Sequence, residues 1–465
     1  MSETLLHPDE AIALVLSFAR AAGTDAAGRA PTAEAPTSEA VPLAQALGRV
    51  LAAPIAGRVD QPPFDKSAMD GWAWRPADAA EEASGLPARP LRVREVIAAG
   101  DAPSAPLAAG ETAKIMTGAP LPPGATRVQR VEWAEELEAA AVDVSARAGG
   151  GAARAGADST RASADSTRAD AGEPGSGPFV RFTKPEGADN VIRRGENAAA
   201  GDMILTPRVL RAQDLAILAA DGRAEVEVTQ RPVVGVFSTG TELAEPGTPL
   251  EPGRIYDSNR TQLLAQLAVA PCLTRDLGSL PDDYEATLAS LRDALGSCEL
   301  VVLSGGVSMG DFDFVPRALK AAGMRELFHG VAMKPGKPTF FGVLESDGGA
   351  GGRAGRRAFV FGLPGNPVSV FVNTELLVKP LVYALQGLAR GGAELMLPAA
   401  ETIRRKGAER VEFLPVSVGP DGARAIRYGG SSALQALAGA DGFCRLEIGQ
   451  AEVREGEMVR VRFVR

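Results

Sequence analysis

Cysteine and histidine are nearly absent: Cys272, Cys298 and Cys444 are the three cysteines, none in a C-x-x-C pair, and His7 and His329 are the two histidines. This excludes a disulfide framework and a structural zinc site and points to a reducing compartment. Aromatic residues make up 5% of the chain, and its formal net charge is −9. It therefore lacks both the positive field and the stacking surface that non-specific nucleic-acid binding uses. No uninterrupted apolar run reaches the ~18 residues that mark a membrane-spanning helix. The first residues, MSETLLHPDE, are acidic where a secretory leader is basic. The expectation is a soluble cytoplasmic protein with no membrane and no nucleic-acid partner.

What is abundant is glycine and proline, 53 and 34 of 465 residues, so loops and tight turns are frequent and a helix bundle is disfavoured. The length suggests about three domains on a prior of ~150 residues each. Residues 8–23 read as a helix with an acidic first turn. Residues 24–39 read as a connector, and LAQALGRVLA (43–52) as a second short helix. Residues 54–133 carry short β-type runs broken by Pro and Gly. Between 134 and 178 the composition collapses to Ala, Gly, Ser, Arg and Asp with ADSTRA occurring twice, too little apolar surface to offset ordering entropy. Thr206 and Pro207 read as the cap and first residue of a helix. From 231 to about 390, buried-type strands alternate with helical stretches, the pattern of a parallel sheet with crossover helices. The tail from 396 returns to short alternating strands. The expected fold class is α/β plus β: a central doubly wound three-layer domain at 231–390, flanked by small β domains. These are an inserted β unit at 56–189 holding a disordered insertion at 134–178, and a barrel-like unit at 396–465. A discontinuous linker domain (1–55 with 190–230) completes the chain.

In an open α/β sheet, ligands bind beyond the carboxyl ends of the strands near a topological switch point. Three such loops carry suitable residues: 238–242, 304–308 (Ser304, Gly305, Gly306, Ser308) and 362–367 (Pro364, Gly365, Asn366). Consecutive glycines let backbone N–H groups approach an anion, and Asn366 followed by Pro367 caps a helix whose amino end favours negative charge. Glu242, Asp257, Asp282, Asp283, Asp311 and Asp313 follow the same strands. Magnesium takes one or two carboxylates, waters and phosphate oxygens, so this set suits it without histidine. Helix capping is the plainer reading of Asp283. Lys334 and Lys337 sit on a loop stiffened by two prolines, a low-entropy presentation of cations. Two motifs are rejected. Residues 306–310 match G-x-S-x-G, but an extra Gly pair separates them from the strand and His329 is the only later histidine. Residues 349–354 match G-x-G-x-x-A but run strand to strand, as a flexible hairpin loop.

Taken together, PPFDKSAMDGWA (62–73), KIMTGAPLPPGA (114–125), IRRGEN (192–197), FSTGTEL (237–243), IYDSNR (255–260), SGGVSMGDFD (304–313), MKPGKPTFFG (333–342) and GLPGNPVSV (362–370) resemble, in order and spacing, the molybdopterin molybdenumtransferase family. Its members are the MoeA-type enzymes and the gephyrin E domain. The resemblance implies insertion of molybdate into adenylylated molybdopterin with release of AMP, magnesium dependence, and an elongated homodimer of four-domain subunits. By motif, Asp282 and Asp313, with Glu242 beside them, serve nucleotide and metal. Lys334, Ser369, Arg410 and Ser431 or its neighbour Ser432 hold molybdate and phosphate oxygens. Asp70 and Thr117 match residues that reach the cleft from the partner subunit. The chain departs from the family at Gly330, where a Lys or Arg is frequent, leaving His329 as a candidate substitute, and at Asn197, where Asp is common.

Molybdate and a pyrophosphate linkage repel each other, and Lys334, Lys337, Arg410 and loop N–H groups can offset that repulsion. No covalent nucleophile is needed. Molybdopterin adenylyltransferase and molybdoenzyme acceptors are the expected partners. Two alternatives are a non-catalytic molybdopterin-binding scaffold and a serine hydrolase using Ser308.

Overall fold

A computed structural model of the chain describes residues 5–20, 37–78, 85–138, 178–306, 314–345, 357–388, 393–427 and 429–464. Chain contacts group it into two compact units, residues 1–54, 206–216 and 224–465 in one, and 55–205 with 217–223 in the other. The flexible-hairpin reading of 349–354 and most of the 134–178 insertion lie outside the described residues.

The larger unit is built on six strands: β1 (Val233–Ser238), β2 (Leu273–Ser279), β3 (Leu300–Ser304), β4 (Arg325–His329), β5 (Phe340–Glu345) and β6 (Arg357–Leu363). They lie in the order β2-β1-β3-β6-β5-β4, the first four parallel and the last two antiparallel. The described helices of the chain are α1 (Pro8–Arg20), α2 (Ala212–Ala220), α3 (Ser258–Ala268), α4 (Tyr284–Ser297), α5 (Phe314–Ala321), α6 (Pro367–Asn373) and α7 (Lys379–Ala384). Strand side chains alternate between faces, and the two cores follow that alternation. Val234, Val236, Leu300, Val302, Phe359 and Phe361 pack with α1, α3, α6 and α7. Phe237, Val301, Leu303, Ala358 and Val360 pack with α4 and α5. Near-continuous apolar strands are what a sheet covered on both faces requires, and the three-layer α/β expectation holds.

In the same unit, Met333–Lys334, Val411–Gly419, Gly442–Leu446, Met458–Phe463 and Glu394–Pro398 form a second sheet in that order. Gly422–Ala425 pairs back onto Val411–Gly419, and an Ala399–Ala423 bridge joins it to the end of Glu394–Pro398, closing the ring around Val416, Cys444, Leu446 and Val461. Burial pushes the Cys444 and Cys272 thiols up to about 12, so both are inert packing residues.

Two helix expectations fail in this unit for one reason. Only Leu43–Gln45 makes a helical turn, and α2 begins at Ala212 rather than after Pro207. The intervening backbones pair with each other instead: Leu51 N donates to Arg208 O, and Leu210 N to Arg49 O. Long-range pairing overrides local propensity.

The smaller unit holds a mixed sheet in the order Arg127–Arg130, Gly71–Trp74, Glu111–Ile115, Leu91–Ile97, Phe179–Phe182, Ala134–Leu137, with Trp72 and Trp74 buried. The start of the insertion expected at 134 is corrected by this sheet. Ala134–Leu137 is a strand paired with Phe179–Phe182, with only its two end residues, Ala134 and Leu137, half-buried, so the partner strand and not the local composition decides its structure.

Phe341 lies with its ring centroid 4.6 Å from Phe361 and is fully buried. Phe341→Ala is expected to lower the unfolding free energy of the larger unit by about 3–5 kcal/mol in urea titration.

Candidate functional site

Strand β1 connects through α3 to β2 on one side and neighbours β3 on the other, so the switch point lies between β1 and β3. Ser238, Ser304 and Leu363 are in register across β1, β3 and β6. Thr239 N donates to Ser304 O at 3.0 Å, Gly305 N to Leu363 O at 3.0 Å, and Leu280 N to Ser238 O at 2.8 Å. Four strand ends therefore converge. Gly305 and Gly306 have φ of +85° and +65°, and a Cβ on Gly306 would lie 2.5 Å from Thr239 Oγ1. Glycine is required there by both conformation and space. Ser238 Oγ is buried at this point and has no hydrogen-bond partner among the described residues.

The loop after β6 is tied down from two sides. Asn259 Nδ2 donates to Gly365 O at 2.7 Å. Asn366 occupies the cap position of α6, yet its side chain does not bond its own helix. Its Nδ2 donates instead to Ser431 Oγ at 2.9 Å, and Val368 N donates to Ser431 O at 3.0 Å. The structure thus brings Asn366 and Ser431 together. Ser369 is 3% exposed within α6 and accepts from Asn373 Nδ2 through its carbonyl. Asn373 Oδ1 in turn accepts from Thr339 Oγ1, which also donates to Gly336 O. Helix α6 links the switch-point loop to the 334–338 loop.

Lys334 lies on a short strand in register with Glu412. Its Nζ is 2.7 Å from Glu412 Oε1, and Glu412 Oε2 is 3.7 Å from Arg405 Nη1. Arg410 Nη1 donates to Met333 O at 3.2 Å, which places Arg410 beside the strand that carries Lys334. Lys337 is exposed. His329 remains in β4 with its ring edge-on to Phe340. At Gly330 the backbone φ is +111°, and a Cβ would lie 2.7 Å from Leu5. The N-terminal segment occupies the space that a cationic side chain at 330 would need.

The acidic residues separate into two kinds. Asp283 caps α4 through Ala286 N at 2.9 Å, the plainer reading. Asp257 is not a rim carboxylate: it is 3% exposed, caps α3 through Arg260 N and pairs with the Arg260 guanidinium at 3.1 Å. Glu242 and Asp282 are exposed, on the loops that follow β1 and β2. Ser308, Asp311 and Asp313 lie outside the described residues. Among the described residues, no three His, Cys, Asp or Glu side chains are grouped to hold a metal.

In the smaller unit Asp70 and Thr117 meet. Thr117 donates to Asp70 Oδ1 through both its hydroxyl and its amide, each at 2.7 Å. Those two bonds hold the exposed Asp70 carboxyl below the usual aspartate range. Sequence reasoning misses the roles of Asn259, Arg405 and Glu412. Asn259 lies in a quoted motif, whereas Glu412 looks like one charge in a surface run until strand pairing buries it.

Three family models match in succession: the MoeA N-terminal region (domains I and II) over residues 6–222, a probable molybdopterin-binding domain over 235–384, and the MoeA C-terminal region (domain IV) over 398–464. A molybdopterin molybdenumtransferase of Synechococcus elongatus is 34% identical over 79% of this chain and 80% of its own. That of Haemophilus influenzae is 31% identical over 91% and 93%. A crystal structure of a molybdopterin biosynthesis MoeA protein from Pyrococcus horikoshii superposes with a TM-score of 0.72 at 26% identity, covering 99% of this chain and all of that one.

Two outcomes are expected. Gly306→Ala should lower the unfolding free energy by roughly 1–2 kcal/mol in urea titration. Thr117→Val keeps the amide donor but loses the hydroxyl, so the Asp70 pKa should rise toward the ordinary value in a carboxyl NMR titration. Because the native value is depressed, the stabilisation is present above the unfolded pKa and is lost as pH falls through the native one. The variant should therefore lose less stability on acidification than the parent.

Proposed function

Since the chain belongs to the molybdopterin molybdenumtransferase family, we propose that it inserts molybdate into adenylylated molybdopterin with release of AMP, in the presence of magnesium. The observation that carries this reading is the run from the switch point along α6 to the Lys334 and Arg410 cations, all within one compact unit. The turns at Gly306, Gly365 and Asn366 carry backbone N–H groups suited to the phosphates, while Thr239 and Gly305, whose amides bond the neighbouring strand ends, and Pro364, which has no N–H, shape the loops. Lys334 and Arg410, with Lys337, Ser369 and Ser431 nearby in the sequence motifs, supply the cationic and polar groups for the oxyanion. Two like charges 4 Å apart at an effective dielectric of 20 repel by about 4 kcal/mol, so fixed cations at this point lower the cost of bringing the reactants together.

Glu242 and Asp282 are exposed on the loops after adjacent strands, and the buried Ser238 Oγ at the end of the first of these strands has no hydrogen-bond partner among the described residues; such a supply suits a hard cation that keeps waters and phosphate oxygens. With Asp313 they would hold magnesium, which when bound supplies Lewis-acid polarisation of the pyrophosphate. Asp70 and Thr117, in the other compact unit, are read as contributions to the cleft of a partner subunit in a homodimer. The partition into 1–55 with 190–230, 56–189, 231–390 and 396–465 follows the same reading, supported by the succession of family models. The described residues include no helix long and apolar enough to cross a membrane. A cytoplasmic location, supply by a molybdopterin adenylyltransferase and delivery to molybdoenzymes complete the proposal.

Purified protein is expected to release AMP from adenylylated molybdopterin only with both molybdate and magnesium present. Asp313→Ala should reduce that rate by at least ~10²-fold. Normal turnover by this variant would refute the metal assignment, and ligand binding without AMP release would refute the activity.

A further inference from the structure

Glu412 is a carboxylate buried where the strand around it packs apolar side chains: Val411 and Phe413 on either side are buried as well. Its side chain is 3% exposed, whereas that of Lys334 is 42% exposed. Behind it, Arg405 is 2% exposed, and its guanidinium is committed to main-chain carbonyls, Nε to Gln450 O at 2.6 Å, Nη1 to Arg410 O at 2.9 Å and Nη2 to Glu447 O. Arg405 is thus satisfied without Glu412 and is held in place by main-chain carbonyls. Glu412 faces this fixed cation with an oxygen that makes no hydrogen bond, and its other oxygen holds the lysine ammonium. A buried charge is a poor source of stability compared with an apolar residue of similar volume, so its position calls for another reason.

Resting on the oxyanion role given above to Lys334, we propose that Glu412 is a positioning residue for oxyanion binding. It acts through Lys334, which has a flexible four-carbon stem and three donors. One donor is anchored inward on Glu412, the main chain is restrained by strand pairing and by Pro335, and the half-exposed ammonium keeps two donors for an anion. The ordering of the lysine is completed before the anion arrives, the condition under which a fixed charge contributes most. Arg405 keeps the carboxylate from following the ammonium outward.

The test is molybdate and tungstate binding by calorimetry, with steady-state AMP release, on the full-length protein. Glu412→Gln should weaken binding of both oxyanions roughly tenfold or more and raise KM for molybdate, leaving KM for adenylylated molybdopterin unchanged. Glu412→Asp keeps the buried charge but withdraws it by one methylene, and should show a smaller loss of the same kind. If the glutamine variant does not fold, the aspartate variant decides alone. Lys334→Ala combined with Glu412→Gln should bind no more weakly than Lys334→Ala by itself. Unchanged or tighter binding in the single variants, additive losses in the double variant, or a parallel rise of both KM values would overturn the proposal. If the parent protein binds neither oxyanion, the oxyanion reading of Lys334 falls and takes this proposal with it. Parent binding with unaffected Glu412 variants sinks only the role of Glu412.

Discussion

Strands β1, β3 and β6 end level with one another, and the rest of the site depends on that register. Ser238, Ser304 and Leu363 occupy one rung, so the three loops leave the sheet at the same height, and those after β1 and β3 bond to the last carbonyl of the next strand. A shift of one residue in any strand would reverse its alternation between the two cores. With Phe359 and Phe361 on one face and Val360 on the other, such a slip would exchange bulky and small packing across the sheet. Burial thus specifies the register, and the register brings Thr239, Gly305 and Gly306 together at the switch point.

From that rung the structure reaches its cations through side-chain hydrogen bonds. Asn366 fastens the loop to Ser431, and Asn373 fastens the far end of α6 to Thr339 and hence to the 334–338 loop. The loop then pairs with the strand that carries Glu412. A site assembled this way can hold charge in place without the reorganisation that flexible side chains require when they meet an anion.

The parallel sheet was readable because its strands are apolar on both faces and its helices are spaced as crossovers require. The loops at 238–242, 304–308 and 362–367 were readable because glycine directly after a buried strand marks a backbone that turns tightly or approaches another group closely. Less could be read where distant pairing decides the outcome. Residues 43–52 and 206–211 carry helical composition, yet their backbones bond to each other, and nothing local announces it. Asp257 looked like Asp282 in the sequence, and only the position of Arg260 separates a buried cap from an exposed carboxylate. Glu412 was invisible for a related reason: its burial comes from pairing with Met333–Lys334, a strand far earlier in the chain.

Asp70 and Lys334 fix a charged group by opposite means. Lys334 is anchored by a buried counter-charge, which limits where the ammonium can go and leaves part of its surface open. Asp70 is exposed and is held by two neutral donors from a single residue, which lower its proton affinity without cancelling its charge. An exposed aspartate contributes little to folding through such bonds once water competes for them. Their effect is instead to keep one oxygen occupied and the other, Oδ2, free of them, so that an ionised carboxylate is presented in one orientation. Under the proposed function, that is a property of use to a ligand rather than to the fold.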